Sequence, residues 1–82
     1  MLQDPQSIRY YQRITDSLVD HWHRGYRTDE LRLYLEGYLT ALRHANVLEH
    51  YQVNQLEQEA WRYISDTSNF AIPEAQPDFD FF

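Results

Sequence analysis

Residues 28–45 read TDELRLYLEGYLTALRHA, and their spacing decides the fold. Leu31, Tyr34, Leu35, Tyr38, Leu42 and Ala45 recur at intervals of three and four, the period of one face of an α-helix. Asp29, Arg32, Glu36, Thr40 and Arg43 form the polar stripe opposite. Thr28 stands where an N-cap belongs, and Asp29-Glu30 set negative charge against the positive end of the helix dipole. Asn46 is placed to end the helix. Gly37 lies inside it at a cost of about 1 kcal/mol relative to alanine. With Ala41 it makes either a small patch that a second helix can approach closely or a tolerated position without a role.

Working outward, Gly25 is the natural stop of a preceding helix, since glycine enters the left-handed region without a Cβ penalty. That helix opens at Asp4-Pro5, a capping acceptor followed by proline at the first helical position. Its apolar stripe reads Ile8, Tyr11, Thr15, Leu18 and Trp22, with Val19 beside it. Arg9, Arg13, Asp16, Asp20 and Arg24 lie opposite, at spacings that permit Arg13–Asp16 and Asp20–Arg24 surface pairs. On the other side, Leu48 and Val53 have the spacing of a hydrophobic staple, so a third helix starts near Glu49. Its buried face is Val53, Leu56, Ala60, Tyr63 and Ile64. The expected fold is an all-α, three-helix hairpin or bundle, with helices over about 5–24, 28–45 and 49–65. Both connections are short, which favours antiparallel neighbours.

The pattern changes at Asp66. The helical domain is therefore assigned to residues 1–65, and residues 66–82 (DTSNFAIPEAQPDFDFF) to an acidic, aromatic tail that is extended or disordered in isolation. Phe70 and Ile72 are placed to tack its beginning onto the bundle.

Charge and composition remove several function classes. Residues 1–65 hold nine carboxylates against seven arginines; the tail adds four carboxylates and no base, for a total of −6. Nucleic acid and anionic membranes both require clustered cations, so neither is an expected partner. No stretch is long and apolar enough for a signal peptide or a bilayer span, and there is no cysteine for disulfides or thiolate metal sites. The expected setting is cytoplasmic. With 82 residues the chain is one domain, burying only about 60% of its unfolded surface. Every base is arginine, which suits contact surfaces or reflects genomic drift.

Catalytic and metal chemistry find little support. There is no phosphate loop, nucleophile elbow or H-E-x-x-H motif. His21 and His23 sit about 200° apart around a helix and cannot share a metal. His44 and His50 flank a turn without further ligands obviously placed. Ser17 and His21 are one turn apart, yet a hydrolase also needs an oxyanion hole and a cleft. No catalytic, cofactor-binding or metal residues are assigned, and no cofactor is expected.

Thirteen aromatic residues are the informative excess. Tyr10, Ile14 and His21 widen the apolar arc of the first helix, Leu33 falls outside the core arc of the second, and Trp61 edges that of the third. One account makes the first helix central, with its wide arc all core. The other makes Tyr10, Ile14, Leu33 and Trp61 a surface for a second chain. In the tail, Asp78-Phe79-Asp80-Phe81-Phe82 alternates carboxylate and aromatic. Phe79, Phe81 and Phe82 either dock on a partner or fold back on the bundle.

The stretch from Asp16 to Ile64, followed by DTSNF and a Pro/acidic/aromatic end, resembles a family of small uncharacterised cyanobacterial proteins. The resemblance rests on Trp22, Arg24-Gly25-Tyr26, Asp29-Glu30-Leu31, Gly37-Tyr38, Arg43, Asn46-Val47-Leu48-Glu49 and Asn69-Phe70. It implies a bacterial cytoplasm and brings no activity to carry over. The expected function is a non-enzymatic protein–protein interaction module: an adaptor, regulator or accessory subunit. The alternatives are a homodimer whose helices complete a shared core, and a small enzyme or histidine–metal protein.

Overall fold

The computed structural model describes residues 2–71, which form α1 (Pro5–His23), α2 (Thr28–Ala45), α3 (His50–Ser65) and a short 3-10 turn, Thr67–Phe70. There is no strand among the described residues. The architecture is the expected all-α three-helix bundle, with helix ends within one residue of those read from the periodicity.

The ends have local causes. At the start of α1 the Asp4 carboxylate accepts the Ser7 N–H at 2.8 Å, and Pro5 occupies the first helical position. At its end Gly25 takes φ 104°. Its N–H donates to the Trp22 carbonyl at 3.0 Å and that of Tyr26 to the His21 carbonyl at 3.1 Å, the paired bonds of a Schellman motif. The start of α2 differs from expectation: Thr28 is already helical and Arg27 holds the N-cap position. The Glu30 carboxylate reaches back to accept the Arg27 N–H at 2.9 Å, the N3-to-N-cap half of a capping box. The Arg27 guanidinium in turn donates to the Trp22 and Tyr26 carbonyls at 3.0 and 2.8 Å, tying α2 to the end of α1. Asn46 closes α2 in the left-handed region, at φ 56°. Before α3, Leu48 packs on the core near buried Val53, and Gln52 accepts the Glu49 N–H at 2.7 Å.

The core consists of Ile14 and Leu18 from α1, Leu31, Leu35, Leu39 and Leu42 from α2, and Val53, Leu56, Ala60 and Ile64 from α3. Two readings are corrected here. The first is the central helix. α3 holds that place, since α1 and α2 each pack mainly on α3 and meet one another over a smaller seam. Ala60, fully buried, permits close approach to α3, whereas the aromatic side chains Tyr10, Tyr34 and Tyr38 lie partly buried against the core. The second is the rotation of α1. Ile14 is 0% exposed and belongs to the core, so it offers nothing to a second chain; Ile8 is 37% exposed. The true centre line is Ser7, Ile14 and Leu18, with Tyr11 and Trp22 only partly buried beside it. Bulky rings on that flank bring the smaller Ile14 to the centre. On α2, Leu39 joins the core and Ala45 leaves it.

Phe70 docks the start of the following segment on the bundle. It is 2% exposed, stacks on Trp22 with centroids 4.8 Å apart, and meets Tyr63 edge-on at 5.5 Å. Tyr63 meets Tyr11 edge-on at 6.4 Å, so one aromatic chain joins the turn to α3 and α1. Phe70 thus fastens the segment that follows α3 onto the bundle, as expected from its position in the sequence. Asp66 holds this turn: its carboxylate accepts the Ser68 hydroxyl at 2.6 Å and N–H at 3.1 Å, bonds that draw its pKa below the ordinary value. Asn69 adds a bond from its side-chain amide to the Tyr63 carbonyl at 2.9 Å. Ile72 and the rest of the proposed tail lie outside the described residues.

Two stability outcomes follow from this packing. Phe70→Ala is expected to lose about 3 kcal/mol in urea unfolding, as large-to-small core changes do; a loss below about 1 kcal/mol would deny Phe70 its place in the core. Ser7 is 2% exposed and its hydroxyl has no hydrogen-bond partner. Ser7→Ala should therefore raise stability by about 1 kcal/mol, seen as a melting temperature higher by about 4–8 °C. A lowered melting temperature would mean that the hydroxyl does have a partner.

Candidate interaction surface

The four helical residues singled out for partner contact do not share a face. Ile14 is in the core. Leu33 is 69% exposed on the outer side of α2, next to a Gly37 whose added Cβ would meet nothing within 4 Å. Among the described residues no helix approaches there, so Gly37 does not serve packing between the three helices. Trp61 is partly buried and engaged: its indole N–H donates to Glu57 Oε2 at 3.2 Å, and the Arg32 guanidinium lies 5.5 Å from its ring. Glu57 Oε1 pairs with Arg43 at 2.8 Å, so this cluster clasps α2 to α3. Phe79, Phe81 and Phe82 lie outside the described residues.

The histidines have ordinary tasks. His21 Nδ1 donates to the Ser17 backbone carbonyl one turn back, and its ring packs near Tyr34 and Tyr26 at 4.8 and 5.7 Å. The expected proximity of Ser17 and His21 is thus spent on the carbonyl rather than on the hydroxyl. His44 and His50 are exposed, and among the described residues no three His, Asp or Glu side chains are grouped as a metal site.

Tyr10 leads to the surface that remains. Where the N-terminal half of α1 passes the C-terminal half of α2, Tyr10, Tyr38, Ala41, Leu42, Ala45 and Val47 line an apolar groove of about 230 Å³. The two alanines, one turn apart, lower the α2 wall, and Val47, 40% exposed, closes one end. Beside it, Gln6, Arg9, Tyr10 and Arg13 line an adjoining depression of about 200 Å³. The Arg13 guanidinium sits 5.8 Å from the Tyr10 ring. Neither Arg9 nor Arg13 pairs with a described carboxylate; the Arg13–Asp16 pair read from the spacing does not form, whereas Asp20–Arg24 does, at 3.0 Å. Among the described residues no carboxylate lines either depression. In a chain of net charge −6 this is a local reversal.

Sequence reasoning found Tyr10 and missed the other wall, because Tyr38, Leu42 and Ala45 carry the helical period of a core face. Their usable signal is the Ala41/Ala45 pair beside Tyr38, a core arc that runs out of bulk.

A family model described as a family of unknown function matches residues 1–82 of the chain. Comparison with curated proteins and with solved structures finds no match.

Burial raises the Tyr38 pKa above its ordinary value of 10.0, Tyr34 and Tyr10 add to the rise, and Arg13 opposes it. Tyr11 and Tyr63 are raised too, again chiefly by burial. The unfolded chain therefore releases these protons first. Stability is full below about pH 10 and falls as pH rises through the folded-state values. Tyr38→Phe should make that alkaline loss shallower in urea titrations at a series of pH values; an unchanged slope would deny Tyr38 a buried hydroxyl.

Proposed function

We propose that this chain, which belongs to the family of unknown function DUF6761, is a non-enzymatic protein-interaction module whose working surface is the α1–α2 groove. A small adaptor, regulator or accessory subunit of a bacterial cytoplasm is the class that fits, and the cyanobacterial setting belongs to the same proposal. The observation that carries it is the groove itself: apolar walls left open beside two unpaired arginines. Apolar surface bounded by polar residues is the composition of contact sites, and Tyr and Arg are the residue types enriched in them. No helix among the described residues is long and apolar enough to cross a membrane.

The homodimer reading has less to recommend it, because its motive was a core too small in one chain. Ile14, Leu18, Leu35, Leu56 and Ala60 are each 0% exposed within a single copy. An enzyme reading lacks a convergent set of titratable groups among the described residues to build on.

Ala41 is exposed, so Ala41→Glu obstructs the groove and sets a carboxylate in it without touching the core. Affinity purification from the native host should recover a partner with the wild-type chain and with Leu33→Ser, and lose it with Ala41→Glu. Equal recovery by all three would remove the groove from the function. In light scattering across a dilution series, the chain should stay folded as a monomer at low micromolar concentration; unfolding on dilution would restore the obligate dimer.

A further inference from the structure

Arg9 and Arg13 stand one turn apart on α1, and like charges at that spacing repel by a few tenths of a kcal/mol. Neither is pinned by a carboxylate of the described residues, and the groove they flank is apolar. The ligand that this pairing fits is a segment carrying aromatic side chains and carboxylates in close alternation. Rings fill the groove, while the neighbouring acids meet the guanidinium groups. One such segment is in the chain itself: Asp78-Phe79-Asp80-Phe81-Phe82.

Reach is sufficient. Phe70 is fixed against Trp22 at the far end of α1. Tyr10 lies twelve residues back along the same helix, about 18 Å at 1.5 Å per residue. Residues 71–78, taken at full extension, span about 26 Å. That covers the axial distance with enough left to cross the ~10 Å width of a helix. A ligand tethered by so short a connection acts at an effective concentration near the millimolar range, so even a weak site is filled from within the same molecule.

Resting on the reading of the groove as the working surface, we infer that residues 78–82 are its resident ligand in cis. Phe79 and Phe81 sit against Tyr10, Tyr38, Ala41 and Ala45, and Asp78 and Asp80 pair with Arg9 and Arg13. An external partner then carries the same acidic-aromatic chemistry and displaces the segment.

The test uses the full chain labelled with 15N. Replacing Phe79, Phe81 and Phe82 together by alanine should shift the amide signals of Ala41, Ala45 and Val47 and leave that of Leu33 in place. Arg9→Glu with Arg13→Glu should shift the same signals, and adding Asp78→Arg with Asp80→Arg should return them toward wild type. The wild-type positions should not change on tenfold dilution. Helicity measured on each variant guards against loss of fold, since every substituted arginine is exposed. Groove signals indifferent to the phenylalanine substitutions overturn the inference. Signals that move to the variant positions on dilution overturn its intramolecular form and make the occupant a second copy. If Ala41→Glu still loses a partner while the phenylalanine variant leaves the groove signals unmoved, the groove stands and only its internal ligand falls.

Discussion

The stripe Val53, Leu56, Ala60 and Ile64 on α3 is the constraint on which the rest depends. Both other helices must lay their apolar faces against it, because a chain of this length has no second core to offer. Ala60 sets the approach. With a methyl group at the centre of the contact, the leucines of α2 and the Ile14–Leu18 pair of α1 reach the same line. α1 and α2 are then left to meet one another through larger side chains on their flanks. Those flanks hold Tyr10, Tyr34, Tyr38 and His21, which accounts for much of the aromatic excess without assigning it to function.

The two ends of this arrangement are finished differently. At one end the chain closes on itself: Phe70 stacks on Trp22, the Arg27 guanidinium lies 4.1 Å from the same indole, and Tyr63 meets Phe70 edge-on. At the other end Tyr10, Tyr38, Ala41, Leu42, Ala45 and Val47 line an open apolar groove, with small side chains at Ala41 and Ala45 on the α2 wall. The first end is a structural lock. The second is apolar surface with no described element over it, and the arginines beside it lack the partners that Arg24, Arg43 and Arg62 have. Charge and shape thus change together at one place.

Much of this was legible beforehand. Asp4-Pro5, Gly25, Asn46 and the Leu48–Val53 staple mark helix ends through local hydrogen bonding and backbone preference, which neighbouring residues alone decide. The α3 stripe is legible in the sequence because each of its members faces one direction. What escaped depends on tertiary packing. Ile14 and Ile8 lie about 120° apart on the wheel of α1, and the rings of Tyr11 on Tyr63 and of Trp22 on Phe70 accompany the rotation that turns Ile14 inward. Thr28 has the better capping side chain, yet the helix starts one residue earlier, with the Arg27 N–H bonded to the Glu30 carboxylate. The groove was invisible for a related reason: Tyr38, Leu42 and Ala45 satisfy a core period, and periodicity carries no information on where a partner helix ends.

The most direct test of the groove as a ligand site uses the four phenylalanines of the sequence, of which Phe70 is fixed at the opposite end of α1. With Ala41 and Ala45 methyl-labelled in the full chain, any nuclear Overhauser contact from a phenylalanine ring to either methyl must come from Phe79, Phe81 or Phe82. The account predicts such contacts at both methyls, at concentrations where the chain is monomeric. Methyls that see only Tyr10, Tyr38, Leu42 and solvent would contradict it.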